Sequence, residues 1–252
     1  MSSKSLASYG ENSTDLISRL SRLQAVDYSS KSPQEQAKVE QLFKIGLSNI
    51  NVLFPNLNVP VTSLNADDYI SKWLKRYYDA HTNRPSTRHA NVKHSVNDPA
   101  LGVIVETREG WSTQRLDDSL SAHNLFMSAE NIQGALLEEY INSIASTEGW
   151  IWAEGETLRA CDFVRFNAQA LGSEFIQIKN RDNTENSSSS AIRNGTQIKK
   201  WNRLTTHMKN KRPVPSFNWD QLNTLMHIQS ASEAGYNQFL KNVVNANHDI
   251  IN

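Results

Sequence analysis

The chain has a single cysteine, Cys161, which excludes an intramolecular disulfide and leaves no second thiol to build a structural zinc site. It has no apolar run near the roughly 20 residues a membrane helix needs, and its start, MSSKSLASYGENSTD, lacks the apolar segment of a signal peptide. A cytoplasmic protein with no membrane span is expected. Net charge is absent as well: 26 Lys and Arg balance 26 Asp and Glu, so the global field does not pull toward nucleic acid. What remains, at 252 residues, is enough chain for one large domain, or for one domain with a helical extension.

Charge is balanced overall but not locally. From Asn186 to Trp219 there is no Asp or Glu, while Arg193, Lys199, Lys200, Arg203, Lys209, Lys211 and Arg212 all fall there. Such a segment is either a solvated basic face or a surface for a phosphate backbone.

The stretch just before it, Leu158 to Lys179, carries the chemistry. Residues 157 to 166 read as a strand on which Leu158, Ala160, Asp162, Val164 and Phe166 share a face, so an aspartate falls among apolar neighbours. A carboxylate in that setting requires compensation, either by Arg159 or Arg165 or by a functional cation. After a turn from Ala168 to Ser173, Glu174 to Lys179 reads as a second strand, with Ile176 and Ile178 on one face and Phe175, Gln177 and Lys179 on the other. A carboxylate, an amide oxygen and an ammonium on adjacent strands suit phosphodiester hydrolysis. Oxygen ligands hold a hard divalent cation, and the lysine orients or deprotonates the attacking water.

With Asp162 as its aspartate and Gln177-Ile178-Lys179 as its (D/E)xK element, the sequence resembles the PD-(D/E)xK nuclease superfamily. Gln177 departs from the pattern, since a neutral amide stands where a carboxylate is usual and removes one negative charge. The continuation KNRDNTENSSSSAIRNGTQIKKW resembles type II restriction endonucleases of the SinI kind, which cut GGWCC-like sites. The resemblance implies Mg²⁺ as cofactor, double-stranded DNA as partner, and catalytic roles for Asp162, Gln177 and Lys179. It also implies an assisting glutamate on the preceding helix. The GALLEEY segment favours Glu138, whereas a helical wheel places Glu139 beside Ile132 at the edge of the apolar stripe, so both are candidates. Asn183, Glu185, Asn186, Ser188 and Arg193 are candidate DNA contacts in a polar loop, because amides bond adenine edges and arginine bonds guanine; Lys199, Lys200 and Arg203 follow on a basic helix starting at Ser190.

Taken in order, the first dozen residues are expected to fray, and Leu16, Ile17, Leu20 and Leu23 mark a first helix. Ser32, Pro33 and Glu35 spell an N-cap, a first-turn proline and a capping box for a second helix. A third starts at Asn65 and buries Ile70, Trp73, Leu74 and Tyr77. Between His81 and His94 the chain is basic without an acid, either a DNA-facing loop or a plain connection. Leu101 to Thr107 reads as a strand, and Ser128 caps a helix to about Ser146. Trp150 to Trp152 is a short buried strand, and a last helical region starts at Asn218 or Asp220, with Tyr236, Phe239, Leu240, Val243 and Val244 as an apolar stripe that suits the core better than a dimer surface.

The expected fold class is therefore α/β, a restriction-endonuclease-like core of mixed β-sheet flanked by helices, with a helical N-terminal subdomain over residues 1–95 and the nuclease core over 96–252. A palindromic site would need two related active sites, so a homodimer is expected from symmetry. Two other readings stay open: a DNA-binding protein that does not cut, and a same-fold nuclease acting on structured or damaged nucleic acid.

Overall fold

A computed structural model describes residues 1–89, 98–167, 172–182 and 187–251. Among these residues no helix is long and apolar enough to cross a membrane.

The chain's start is ordered rather than frayed. Strand β1 (Ser2–Lys4) pairs antiparallel with β2 (Leu57–Val59), and the adjacent Leu6 is buried, which fixes the terminus. Helix α1 (Ser13–Asp27) is capped by Asn12, whose side chain accepts from the Asp15 amide. Helix α2 (Pro33–Leu47) carries the full capping box: Ser32 Oγ accepts from the Glu35 amide, and Glu35 accepts from the Ser32 amide at 2.9 Å. Those bonds, and the Ser32 hydroxyl, hold the Glu35 carboxyl below its ordinary pKa. After α3 (Ile50–Leu53), α4 (Asp67–Thr82) starts two residues beyond Asn65, which still accepts from the Asp67 amide; it buries Ile70, Trp73, Leu74 and Tyr77.

Two expectations fail in the middle of the chain. Leu101 to Thr107 lies in helix α5 (Pro99–Glu109), not a strand: Asp98 accepts from the Ala100 amide, Pro99 pre-sets the first turn, and Gly110 closes the end at a φ of +64°. Caps at both ends outweigh the β-branched run between them. The next helix, α6 (Thr113–Ala145), runs 33 residues from its Ser112 cap; Ser128 lies inside it, its hydroxyl donating to the Asn124 carbonyl.

The sheet has the order β3 (Ile151–Trp152), β4 (Phe163–Asn167), β5 (Gly172–Arg181), β6 (Ile198–Lys209), β7 (Arg212–Phe217). All neighbours are antiparallel except β5 and β6, so the sheet is mixed. The strand predicted over 157–166 begins only at Phe163; Glu156 and Ala160 hold left-handed backbone, at φ of 55° and 54°, and bend the chain before Asp162. The predicted basic helix is likewise corrected. A short helix α7 (Ser187–Arg193) ends early, and Ile198 and Trp201 belong to β6, where they enter opposite apolar layers.

One layer packs α1, α2 and α4 against Val164, Phe175 and Ile198. The other packs α6, α8 (Trp219–Met226) and α9 (Glu233–Ala246) against Phe163, Ile176, Ile178 and Trp201. With both faces covered, the middle of β5, from Phe175 to Ile178, is buried and holds Gln177 in a fixed position. Tyr236 and Val243 of the predicted α9 stripe are buried, while Val244 at its edge is exposed.

Candidate active site

Antiparallel pairing sets the site. Phe163 lies opposite Ile176, so Asp162, one residue earlier, is carried alongside the middle of β5. Its amide donates to the Ile176 carbonyl at 2.9 Å, and its Oδ2 accepts from the Ile178 amide at 2.6 Å. Period-two alternation puts Gln177 and Lys179 on the same side of β5. Glu138 arrives from the last third of α6, its Oε2 accepting from Trp152 Nε1 at 2.9 Å. Asp162, Glu138, Gln177 and Lys179 all line one cleft of about 560 Å³.

The two carboxylates are poorly solvated and close enough to oppose each other. Burial pushes the Asp162 carboxyl up to about 6, against the pull of the Ile178 N–H and the Lys179 ammonium, and with a further push from Glu156. Burial also drives Glu138 well above the ordinary carboxylate range; the Asp162 charge adds to this, while the Trp152 N–H and Lys179 oppose it. Lys179 lies near enough to act on both, yet its ammonium makes no hydrogen bond or ion pair among the described residues. It is therefore available to a bound water or phosphate.

Does this set suit a hard cation? Its donors are all oxygens, and the second oxygen of each carboxylate makes no hydrogen bond among the described residues. Two mutually repelling carboxylates would also be relieved by a positive ion between them. Among the described residues no three His, Cys, Asp or Glu side chains converge, so the remaining ligands must be neutral oxygens or water. The set fits Mg²⁺ and does not fit a nitrogen- or sulfur-preferring metal.

The remaining candidates are placed as follows. Glu139 does not face the cleft: its carboxylate accepts from the Ser86 amide at 2.8 Å and the Ser86 hydroxyl at 2.6 Å, anchoring the Pro85–Thr87 turn to α6. Its place at the edge of the apolar stripe thus turns Glu139 toward Ser86 and not toward the cleft. Gln177 is 3% exposed and its Oε1 accepts from Arg193 Nη1, so Arg193 points into the site rather than outward. Arg203 is withdrawn from the candidate DNA surface. It is buried, paired with Glu233 at 2.6 Å, and lies over the rings of Phe217 and Tyr236. Lys199 and Lys200 lie on β6, with Lys199 exposed and Lys200 in register with Gln177. Ser188 falls in α7, and Asn183, Glu185 and Asn186 lie outside the described residues.

Three further charged residues line the cleft: Arg88, from the basic stretch that begins at His81, Arg159, expected only as a possible partner of Asp162, and Glu156, which the sequence did not single out. Arg159 is fixed by its own amide, which donates to the Leu53 carbonyl at 2.7 Å. Neither arginine has an acidic partner among the described residues, which leaves two cations facing the cleft. The legible signal was Gly155, since a turn there breaks the alternation that had suggested a strand through Arg159.

A mixed five-strand sheet between two helical layers, with the amide and lysine on its central strand and the aspartate immediately before the neighbouring one, is a restriction-endonuclease-like fold. The family model for the SinI restriction endonuclease matches residues 61–246, and the chain belongs to that family. It is 34% identical to the type II restriction enzyme Eco47I of Escherichia coli over 148 residues, 59% of this chain and 62% of that protein. It is 31% identical to the type II restriction enzyme SinI of Salmonella infantis over 147 residues, 58% of this chain and 61% of that protein. The similarity thus spans about three fifths of each curated relative.

Proposed function

We propose that the protein is a type II restriction endonuclease that hydrolyses phosphodiester bonds of double-stranded DNA with Mg²⁺, leaving 5′-phosphates. The observation that carries this reading is the Lys179 ammonium, which makes no hydrogen bond or ion pair among the described residues, beside the Glu138–Asp162 carboxylate pair in one cleft. Asp162 and Glu138 would hold the cation, which when bound supplies positive charge to the phosphate and lowers the pKa of water. Each carboxylate is aimed by a single fixed donor, the Ile178 amide for Asp162 and the Trp152 indole for Glu138. Lys179 orients the attacking water and shares the charge developing on the non-bridging oxygens. Arg88 and Arg159, at the cleft's other walls, hold flanking phosphates in register. Arg193 fixes the Gln177 amide so that a carbonyl oxygen, rather than a carboxylate, faces this part of the site. Two copies would present two such clefts to a symmetric DNA site, and we propose a homodimer on that ground.

The Gln177 oxygen, already engaged by Arg193, favours one rival: a protein that binds its DNA site and does not cut. Incubation with a plasmid of known sequence separates them. Discrete fragments are expected with Mg²⁺, none with EDTA, and a loss of about 10²- to 10⁴-fold in rate for Lys179→Ala with DNA affinity kept. Intact plasmid under every condition, with retained binding, would leave the non-cutting reading in possession.

A further inference from the structure

Helix α5 and the first half of α6 form a two-helix arm whose apolar side chains are left exposed among the described residues. No residue from Pro99 to Met127 is buried, and the first buried position of α6 is Ser128. The two helices touch each other, with the Gly102 backbone against the Leu116 side chain. Yet α5 is built on the run Leu101-Gly-Val-Ile-Val105, as apolar as a core helix, and a helix of that composition is ordinarily covered. Leu101, Val103 and Ile104 are 61–62% exposed, and Leu125, Phe126 and Met127 are 48%, 76% and 45% exposed. A helix as short as α5, 11 residues held by so little internal packing, is marginal alone in water.

The arm's charge narrows what can cover it. Between Pro99 and Met127 there are four carboxylates, Glu106, Glu109, Asp117 and Asp118, against two arginines, Arg108 and Arg115, a net of minus two. Phosphate backbones and anionic lipid surfaces, charged throughout, are repelled by such a surface; a second arm carries the same small net charge with both signs present, so area rather than charge selects it. Its area suits a second copy. The six exposed side chains offer on the order of 600 Å² of apolar surface, so two copies would cover about 1,200 Å², the lower end of what stable protein interfaces bury. The patch also continues into a groove of about 500 Å³ beneath Phe126, lined by Ile132, Leu136, Val244, Ile250 and Ile251, which can receive a partner's apolar side chain.

We propose that the α5–α6 arm is the surface through which two copies of this chain associate, arm against arm. This names the contact in the two-copy arrangement above and rests on that reading for its stoichiometry, but the contact itself needs neither DNA nor metal.

The test is sedimentation velocity of the full chain in EDTA without DNA, beside Ile104→Glu, Phe126→Glu and the control Leu64→Glu, whose side chain is 97% exposed outside the arm. The wild type and the control are expected to sediment as dimers. The two arm variants are expected to sediment as monomers, with dissociation constants raised about 30-fold or more and circular dichroism unchanged. Independently of any variant, amide exchange over α5 in the wild type should slow as protein concentration rises. A monomeric wild type at tens of micromolar, arm variants that stay dimeric, equal disruption by Leu64→Glu, or concentration-independent exchange in α5 would each overturn the proposal. A dimer that never cleaves DNA would instead overturn the nuclease reading and leave the arm contact standing.

Discussion

Asp162→Asn should make the metal-free protein more stable, and the effect should depend on pH in a defined way. The Asp162 carboxyl has its pKa raised from the ordinary 3.8 to about 6, chiefly by burial. A carboxyl raised on folding binds its proton more tightly in the native chain than in the unfolded one. Stability therefore falls as pH rises through the window from about 4 to about 6, and the penalty is complete above it. The gap between 3.8 and about 6 corresponds to at most about 3 kcal/mol. Asparagine carries no charge and keeps an oxygen to accept the Ile178 N–H, and it also lifts the repulsion felt by Glu138, which acts in the same direction. Urea unfolding in EDTA should show the variant more stable than the wild type by up to about 3 kcal/mol near pH 8, with the two converging near pH 4. The same variant should not cleave DNA, placing the site among those that give up stability for function. A variant no more stable than wild type near pH 8, or an advantage that ignores pH, would show that the carboxylate is not strained by its surroundings.

Other expectations are simpler. Arg159→Ala and Arg88→Ala should each weaken DNA binding and flatten its logarithmic salt dependence by about one; a slope unchanged in both would place the phosphates elsewhere. Gly155→Ala should destabilise the fold by more than about 2 kcal/mol in thermal or urea unfolding. Its φ is +71°, and an added Cβ would sit 2.4 Å from the Arg76 carbonyl oxygen, so backbone has to move. An alanine variant with wild-type stability would mean that the Glu154–Glu156 turn is free to shift away from α4.

Local signals were legible where one short-range rule dominates. The order Ser32, Pro33, Glu35 produced the full capping box, and two-residue alternation put Gln177 and Lys179 on one side of β5, next to Asp162. Legibility failed where two rules compete. In α5, β-branched residues argued for a strand, but Asp98 and Gly110 set both ends of a helix. In β6, Lys199 and Lys200 beside Ile198 and Trp201 suit an amphipathic helix as well as a strand covered on both faces, and only the pairing with β5 decides between them. The choice between Glu138 and Glu139 turns on Ser86, more than fifty residues earlier, which captures Glu139 and leaves Glu138 for the cleft. Arg203 fails for a similar reason, since Glu233 on α9 supplies its counter-ion from thirty residues away.

The connectivity of the site also bears on the order in which it folds. Asp162, Gln177 and Lys179 lie within one antiparallel strand pair whose ends are close in sequence, a unit that closes on the microsecond scale. Glu138 comes from α6, farther along the chain from Asp162 than β5 is and therefore at a somewhat larger loop-closure entropy, while Arg193 precedes the strand that crosses over to pair in parallel. The carboxylate repulsion is consequently absent from the early hairpin and is met only as α6 docks with Glu138. The carboxylates that line the cleft thus oppose the docking of α6, and a divalent cation binding between them would favour that docking as well as prepare the chemistry.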